Sequence, residues 1–399
     1  MKKDLIFEKR KKAKNLYEKG YSIRKIAKCI VANKTRVSTW VKMPDEDLLK
    51  DNRGWQKGKL RIHTEKERDR IIEIRKQLKE EECYFIGAKV VVANYQKRHK
   101  KEITESFVDR VLNQEGLVSQ REKKMKGRSK YMCYPTHTLS KLGKILMGID
   151  FIGPKYIEKG RERINFLSCK YIRPMQWGMT KKIKGQTTEE AIQTLLGLWK
   201  EHPMPDVIKM DNDAAFGLSG VQKGSVGRFT LFLLNVGISP LYIAPRSPWN
   251  NGETEGHNSV FSKKFWSKIR FHKEEEIDVK IEKFNIEYKK YSNLICNDPE
   301  IKKPRYIDDY KDIDLENKNI YKFKKSKIYF LRVVRRKGDK GEKNEKGFIN
   351  IMGRDMMMPR SYINLYTFCI IDLKKERVSI NVEEENGKLL EVKYFLFKI

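Results

Sequence analysis

The chain of 399 residues is long enough for several compact units, each with its own core. Its 86 Lys and Arg against 53 Asp and Glu leave a formal charge of +33. A polyanionic partner relieves that self-repulsion, and nucleic acid fits best, although a lysine-rich genome accounts for part of the excess. A mean hydropathy of −0.69, with no apolar run near the ~18 residues a span needs, argues against a membrane protein.

Six cysteines are scattered without a C-x-x-C pair or a His/Cys cluster at zinc spacing, which speaks against a structural zinc site and a disulfide framework. The first twenty residues lack the apolar core of a signal peptide, so a reducing, intracellular setting is expected.

Residues 1–47 read as a helical unit. Leu16, Ile23, Ile26, Ile30, Val37 and Trp40 recur at helical spacing, and Gly20-Tyr21-Ser22 ends the first helix and offers Ser22 as N-cap of the second. Asn33-Lys34-Thr35 then turns the chain into a third helix. This is the helix-turn-helix plan, with a generic three-helix bundle as the plainer reading. It makes Arg24, Lys25, Arg36, Ser38 and Thr39 candidate DNA contacts.

Pro, Gly and alternating charge mark 43–64 as a linker. Residues 65–120 then predict a second, winged helix-turn-helix unit, with Thr104 as an N-cap and Gly116 as a stop. A basic linker follows over 121–140, where REKKMKGRSK carries six basic residues and one acid. A solvated tether and a phosphate-gripping strap are both compatible with it, and Lys123, Lys124 and Lys126 are candidate phosphate contacts.

From 141 to 306 the pattern alternates between strands and helices. KILMGIDFIG reads as a buried strand, and RINFLSCKYI and the stretch around MQWGMT as two more. TTEEAIQTLLGLWKEH is an amphipathic helix with Thr187 and Glu190 as a capping box. DVIKM predicts a strand, VGRFTLFLLNVGI a helix, ISPLYIA a strand, and NGETEGHNSVFSKKFWSKIRF a long basic helix. A helical segment at 273–292 packs back on this domain, and 307–325 is a connector. Residues 326–399 hold short apolar runs between turn-rich segments, the pattern of a small β-barrel.

Three acidic stretches stand out: MGID at 147–150, VIKMDNDAAF at 207–216 and PRSPWNNGETEGHN at 245–258. They offer Asp150, Asp211 and Glu255. Carboxylates that converge from distant parts of a chain repel one another, and divalent cations relieve that repulsion. Three strands, helix, strand, helix, strand, helix is the ribonuclease-H-like order, and the three acids fall on its first strand, at the end of its fourth and on a late helix. The expected architecture is therefore multidomain α/β: a ribonuclease-H-like core preceded by helix-turn-helix units and followed by a small β-barrel.

The motifs MGIDFIGP, DNDAAF and PRSPWNNGETEGHN resemble those of the retroviral-integrase-like DDE transposases, most of all those of bacterial insertion sequences. Pro245, Pro248, Trp249, Asn251, Gly252, Glu255 and Asn258 carry the most specific of them. The resemblance implies a catalytic and metal-binding set of Asp150, Asp211 and Glu255 around two Mg²⁺ ions, with Mn²⁺ able to substitute, about 3.5–4 Å apart. It implies that the protein binds double-stranded DNA at the ends of a mobile element, cleaves it and joins the 3′-hydroxyl ends to target DNA. Asn212 and Asn258 would orient substrate or nearby water, Lys263 and Lys264 would bear on the DNA backbone, and the protein would act as a homo-oligomer on paired ends, in a prokaryotic cytoplasm and nucleoid.

The stretch GLSGVQKGSVG at 217–227 lengthens the gap between the second Asp and the Glu, and is expected as a mobile loop over the site. Asp213 and Glu253 are nearby acids left outside the set. His257 is open to a ligand or base role and to a packing or DNA-facing one; Trp249 is open to stacking on a flipped base or anchoring its loop. A non-catalytic, transposase-derived DNA-binding regulator is the alternative function. A plain ribonuclease-H-type nuclease leaves the N-terminal units and the barrel unexplained.

Overall fold

The computed structural model describes residues 3–48, 63–118, 134–157, 163–217, 225–296, 301–310, 314, 317–337 and 346–397. Residues 1–67 and 68–399 are two compact units. In the first, α1 (Lys3–Glu18), α2 (Ile23–Cys29) and α3 (Lys34–Val41) close around Ala13, Ile26, Ile30, Val37 and Trp40. Asn33 caps α3, its side-chain oxygen accepting from Thr35 N at 2.8 Å. Ser22 stands at the N-cap position of α2, but its hydroxyl makes no capping hydrogen bond.

The second unit begins within α4 (Glu65–Glu80), which with α5 (Ala88–His99) and α6 (Glu105–Gln114) buries Ile71, Ile74, Val91, Tyr95, Val108 and Leu112. Thr104 caps α6 as expected, accepting from Phe107 N at 3.3 Å. No strand occurs among the described residues 63–118, so the expected wing is not among them. The turn between α4 and α5 inserts Tyr84 and Phe85 among Phe261, Phe265, Phe284 and Tyr288, against α11 (Glu275–Ile295). Tyr84 N donates to Glu287 Oε2 at 2.7 Å, which ties these helices to the rest of the unit.

After the short α7 (Thr136–Lys141), the strands β1 (Leu146–Tyr156), β2 (Arg163–Arg173) and β3 (Gly178–Ile183) form an antiparallel meander. Then α8 (Thr188–Glu201), β4 (Val207–Met210), α9 (Arg228–Asn235), β5 (Ser239–Tyr242) and α10 (Gly252–Phe261) follow in turn, leading to α11. β4 runs parallel to β1, and β5 parallel to β4. Thr187 Oγ1 accepts from Glu190 N at 3.2 Å, but the Glu190 carboxylate accepts from Lys184 N, so only half of the expected capping box forms. The helix expected to run on through residue 271 ends at Phe261 and passes into a π-helical turn, Ser262–Trp266.

The C-terminal strands depart from expectation. β6 (Lys327–Val333) pairs in parallel with β5, and β10 (Tyr366–Asp372), β11 (Arg377–Glu383) and β12 (Leu389–Leu396) continue from it in antiparallel fashion. The result is one nine-stranded sheet in the order β12-β11-β10-β6-β5-β4-β1-β2-β3, with β7 (Arg335–Lys337), β8 (Lys346–Ile351) and β9 (Arg354–Met358) as a separate small sheet. An open extension thus stands where a self-contained barrel was expected over 326–399. β6 is buried on both faces, through Ile328, Phe330 and Arg332 on one and Leu331 on the other, and its place between β5 and β10 pairs both its edges, as befits an interior strand. No helix among the described residues is long and apolar enough to cross a membrane.

Candidate active site

One cavity of about 550 Å³ brings the three acidic stretches together, with Asp150, Asp211 and Glu255 in its wall alongside Asn212, Asp213 and Asn251. Asp150 lies on β1 opposite Ser168 of β2, one residue past the fully buried Ile149. Asp211 follows the last residue of β4, and Glu255 stands in the first turn of α10. Each acid is placed by the apolar strand or helix start before it.

The approach of α10 to β1 depends on a missing side chain. A Cβ at Gly148 would lie 2.1 Å from Thr254 Oγ1, so only glycine lets the helix come down on the strand next to Asp150. Gly148→Ala is expected to destabilise the fold by about 1–3 kcal/mol and to shift Glu255 away from Asp150. Thr254→Ala removes the clashing oxygen and should restore much of the loss, a non-additivity that urea denaturation of the two single variants and the double variant measures.

The electrostatics are those of crowded acids. Burial first, then the Asp211 charge, raises Asp150 to about 7; Glu255 adds to this, and a 2.7 Å hydrogen bond from Asn258 Nδ2 to Asp150 Oδ2 opposes it. Burial also raises Asp211, although its Oδ1 accepts from Asp213 N at 3.0 Å. Hard carboxylate oxygens that resist ionisation together have the chemistry of a divalent-cation site. Even so, no group of three or more His, Cys, Asp or Glu among the described residues stands close enough to hold an ion.

The neighbouring acids have other tasks. Glu253 pairs with Lys209 of β4 at 2.8 Å; burial would raise its pKa, but the Lys209 charge and hydrogen bond outweigh this and lower it. Asp213 caps the next turn, accepting from Ala215 N at 2.8 Å, while also lining the cavity. His257 is buried and held neutral, its pKa pushed down to about 3 by burial and by the Lys170 charge. It packs on Tyr288 and meets Thr180 Oγ1 at 3.2 Å, the packing reading of that residue. Trp249 is half exposed, but its Nε1 donates to Tyr366 Oη at 2.8 Å, which fits the anchoring reading.

The other candidates are not among the residues that line the cavity. Arg24 and Lys25 are exposed on α2, and Arg36 and Thr39 on α3; Ser38 is half-buried and Thr39 Oγ1 donates back to Thr35 O. Lys263 is exposed and Lys264 half-buried on the π-helical turn. Lys123, Lys124 and Lys126 lie outside the described residues, as does 218–224 of the expected loop. The neck of that loop is described: a Cβ at Gly227 would sit 2.5 Å from Gly217 Cα, so the two backbones pinch together beside the site.

Sequence reasoning missed Arg332. It is 4 % exposed on β6 and grips the floor of the site, donating to Asn212 Oδ1 at 3.0 Å and to Ile243 O at 2.9 Å. Asn212 completes the link through a 2.8 Å bond from its Nδ2 to Ile243 O, so its amide is held by the protein on both sides. The available signal was an arginine inside the apolar run KIYFLRVV.

Residues 8–63 match a family described as the putative ATPase subunit of terminase (gpP-like). That stretch contains none of the cavity residues, and the chain has no G-x-x-x-x-G-K-[ST] phosphate loop. No curated protein matches the chain. Among solved structures, a chain of the simian T-cell lymphotropic virus intasome in complex with PP2A regulatory subunit B56 gamma is 12% identical and has a TM-score of 0.32; the match covers 74% of this chain and 98% of that one. A chain of the Mos1 mariner paired end complex with Mn is 11% identical with a TM-score of 0.28, covering 71% of this chain and 92% of that one. At these scores the superpositions are too loose to assign a fold or a family, and the function must be read from the cavity.

Proposed function

We propose that the chain is a DDE-type transposase that binds DNA ends, cleaves a phosphodiester and joins the freed 3′-hydroxyl to target DNA. The observation that carries this reading is the meeting of Asp150, Asp211 and Glu255, from three distant segments, in one cavity. The strand order β3-β2-β1-β4-β5, antiparallel twice and then parallel twice, supports a ribonuclease-H-like core. Three short helices with exposed Arg24, Lys25, Arg36 and Thr39 suit a helix-turn-helix reader, and the charge of +33 suits a DNA partner.

In this reading Asp150, Asp211 and Glu255 would hold Mg²⁺ or Mn²⁺, which would supply neutralisation of the acids and Lewis-acid polarisation of the phosphodiester. Asn258 fixes the direction of the Asp150 carboxylate through Oδ2, and the Asp213 N–H does the same for Asp211 Oδ1.

The test is strand transfer. Protein, Mg²⁺ and an oligonucleotide bearing the element's end are incubated with plasmid, beside Asp211→Asn. Joining by the parent and a loss of at least about a hundredfold in the variant are expected, with DNA binding retained. Binding without joining, the same for both proteins, would overturn the enzyme and favour the DNA-binding regulator.

A further inference from the structure

Two interior strands each carry one cation inside an apolar run: Lys209 on β4 and Arg332 on β6. Lys209 has its counter-charge in Glu253. Arg332 has neutral acceptors only: Ile243 O at 2.9 Å, Leu331 O at 2.8 Å, Asn350 O at 2.9 Å and Asn212 Oδ1 at 3.0 Å. No carboxylate among the described residues forms an ion pair with it. A buried charge is normally paired, because leaving water without a counter-ion is costly.

Arg332 borders a second cavity, of about 200 Å³, lined by Ala244, Pro245, Arg332, Val333, Arg335 and Asn350. Ala244 and Pro245 also line the carboxylate cavity, so the two spaces are neighbours across that one segment. Arg335, exposed on β7, brings a second guanidinium to the same wall and likewise has no ion-paired carboxylate among the described residues. Protein acceptors already take four of the five Arg332 N–H groups, so Arg332 contributes buried positive charge, while Arg335 on the same wall offers the planar fork by which arginine holds phosphate oxygens.

We propose that this cavity binds a phosphodiester of the nucleic-acid strand that enters the carboxylate cavity, gripped by Arg335 with Arg332 behind it. The strand's route into the carboxylate cavity rests on the proposed function; the phosphate site itself does not. Its place explains why the carboxylate cavity, lined by acids, can accept a polyanion: the strand is held by cations one step before it reaches them.

The test uses the full chain in EDTA, so that no joining occurs. Arg335→Ala is compared with Arg336→Ala, which removes the same charge from the adjacent position, whose side chain faces the opposite side of β7. Two probes are used: inorganic phosphate against chloride at equal ionic strength, read as a melting shift, and a fluorescent duplex with a 3′ overhang, read by anisotropy across a salt series. Arg335→Ala is expected to lose most of the phosphate-specific shift and roughly three- to tenfold in duplex affinity, with the salt slope lowered by about one. Arg336→Ala should keep the shift. Equal losses in both variants would show only a diffuse charge effect and overturn the site. A selective loss with phosphate but none with the duplex would make it a free-anion site and overturn the nucleic-acid assignment. A selective loss on both probes, alongside failure of the strand-transfer test, would leave the phosphate site standing without the transposase.

Discussion

Replacing Asp150 by Asn is expected to stabilise the protein at pH 8 in EDTA and, under the proposed function, to abolish DNA joining. Burial and the Asp211 charge raise Asp150 from its ordinary value of 3.8 to about 7. Between those values the native carboxyl is protonated while the unfolded one is not, so the native state binds more protons. Stability therefore falls as pH rises through this window, and above it the full penalty of an ionised Asp150 is present. Asn keeps an acceptor for Asn258 Nδ2 without the charge. The variant should be more stable by on the order of 2–4 kcal/mol above neutral pH, once partial exposure is allowed for, and near parent stability at pH 4. Urea midpoints at pH 4, 6 and 8 in EDTA check it. A parent whose stability is flat across that range, or an Asn variant no more stable at pH 8, would show that Asp150 is not strained by its neighbours. Under the proposed function, Mg²⁺ would stabilise the parent in the upper part of this range and leave the variant nearly unchanged, because a bound cation would relieve the same repulsion that the substitution removes.

Loss of Arg332 is the second large effect. Its guanidinium donates to four acceptors on four segments: Asn212 after β4, Ile243 after β5, Leu331 of β6 itself and Asn350 near the end of β8. Arg332→Met keeps the length and apolar bulk but leaves Asn212 Oδ1 and Asn350 O without this donor in a buried place. The expected cost is about 2–5 kcal/mol, part of the acceptor penalty being offset because the buried charge goes too. Arg332→Lys should recover less than half, since one ammonium cannot span four acceptors held by a planar fork. A lower urea midpoint at constant slope is the readout. Joining should fall further than stability explains, because Asn212, next to Asp211, loses one of the two bonds that hold its amide. A Met variant as stable as the parent would show that the carbonyl cluster finds other donors and that Arg332 is not a structural clamp.

Much of the core was legible because its elements announce themselves locally. Apolar runs before Asp150 and Asp211 could only be buried strands, and Thr187 opened α8 where its spacing placed it. The segments holding the three acids were legible as motifs; that their side chains share a cavity also needed Gly148, whose missing Cβ admits α10. Of the lengthened stretch between Asp211 and Glu255, the described ends Gly217 and Gly227 lie against each other, a contact that their spacing in the sequence does not state. Asp213 and Glu253 were set aside on motif position alone; in the structure Asp213 caps a turn while still lining the cavity, and Glu253 pairs with Lys209.

By itself the sequence determined the local order: which runs are strands, which are amphipathic helices, where caps and stops fall, and that a basic chain carries three isolated acidic motifs. Period, capping chemistry and net charge are properties of neighbouring residues, so they can be read along the chain. Pairings between distant segments are not. The tertiary structure alone decided that β6 lies against β5 rather than in a barrel, that Tyr84 and Phe85 lock the second helical unit onto α11, and that Arg332 reaches the floor of the carboxylate cavity. Each of these depends on which buried face or unpaired polar group finds a complement elsewhere, and a single residue's identity states the need without naming the partner.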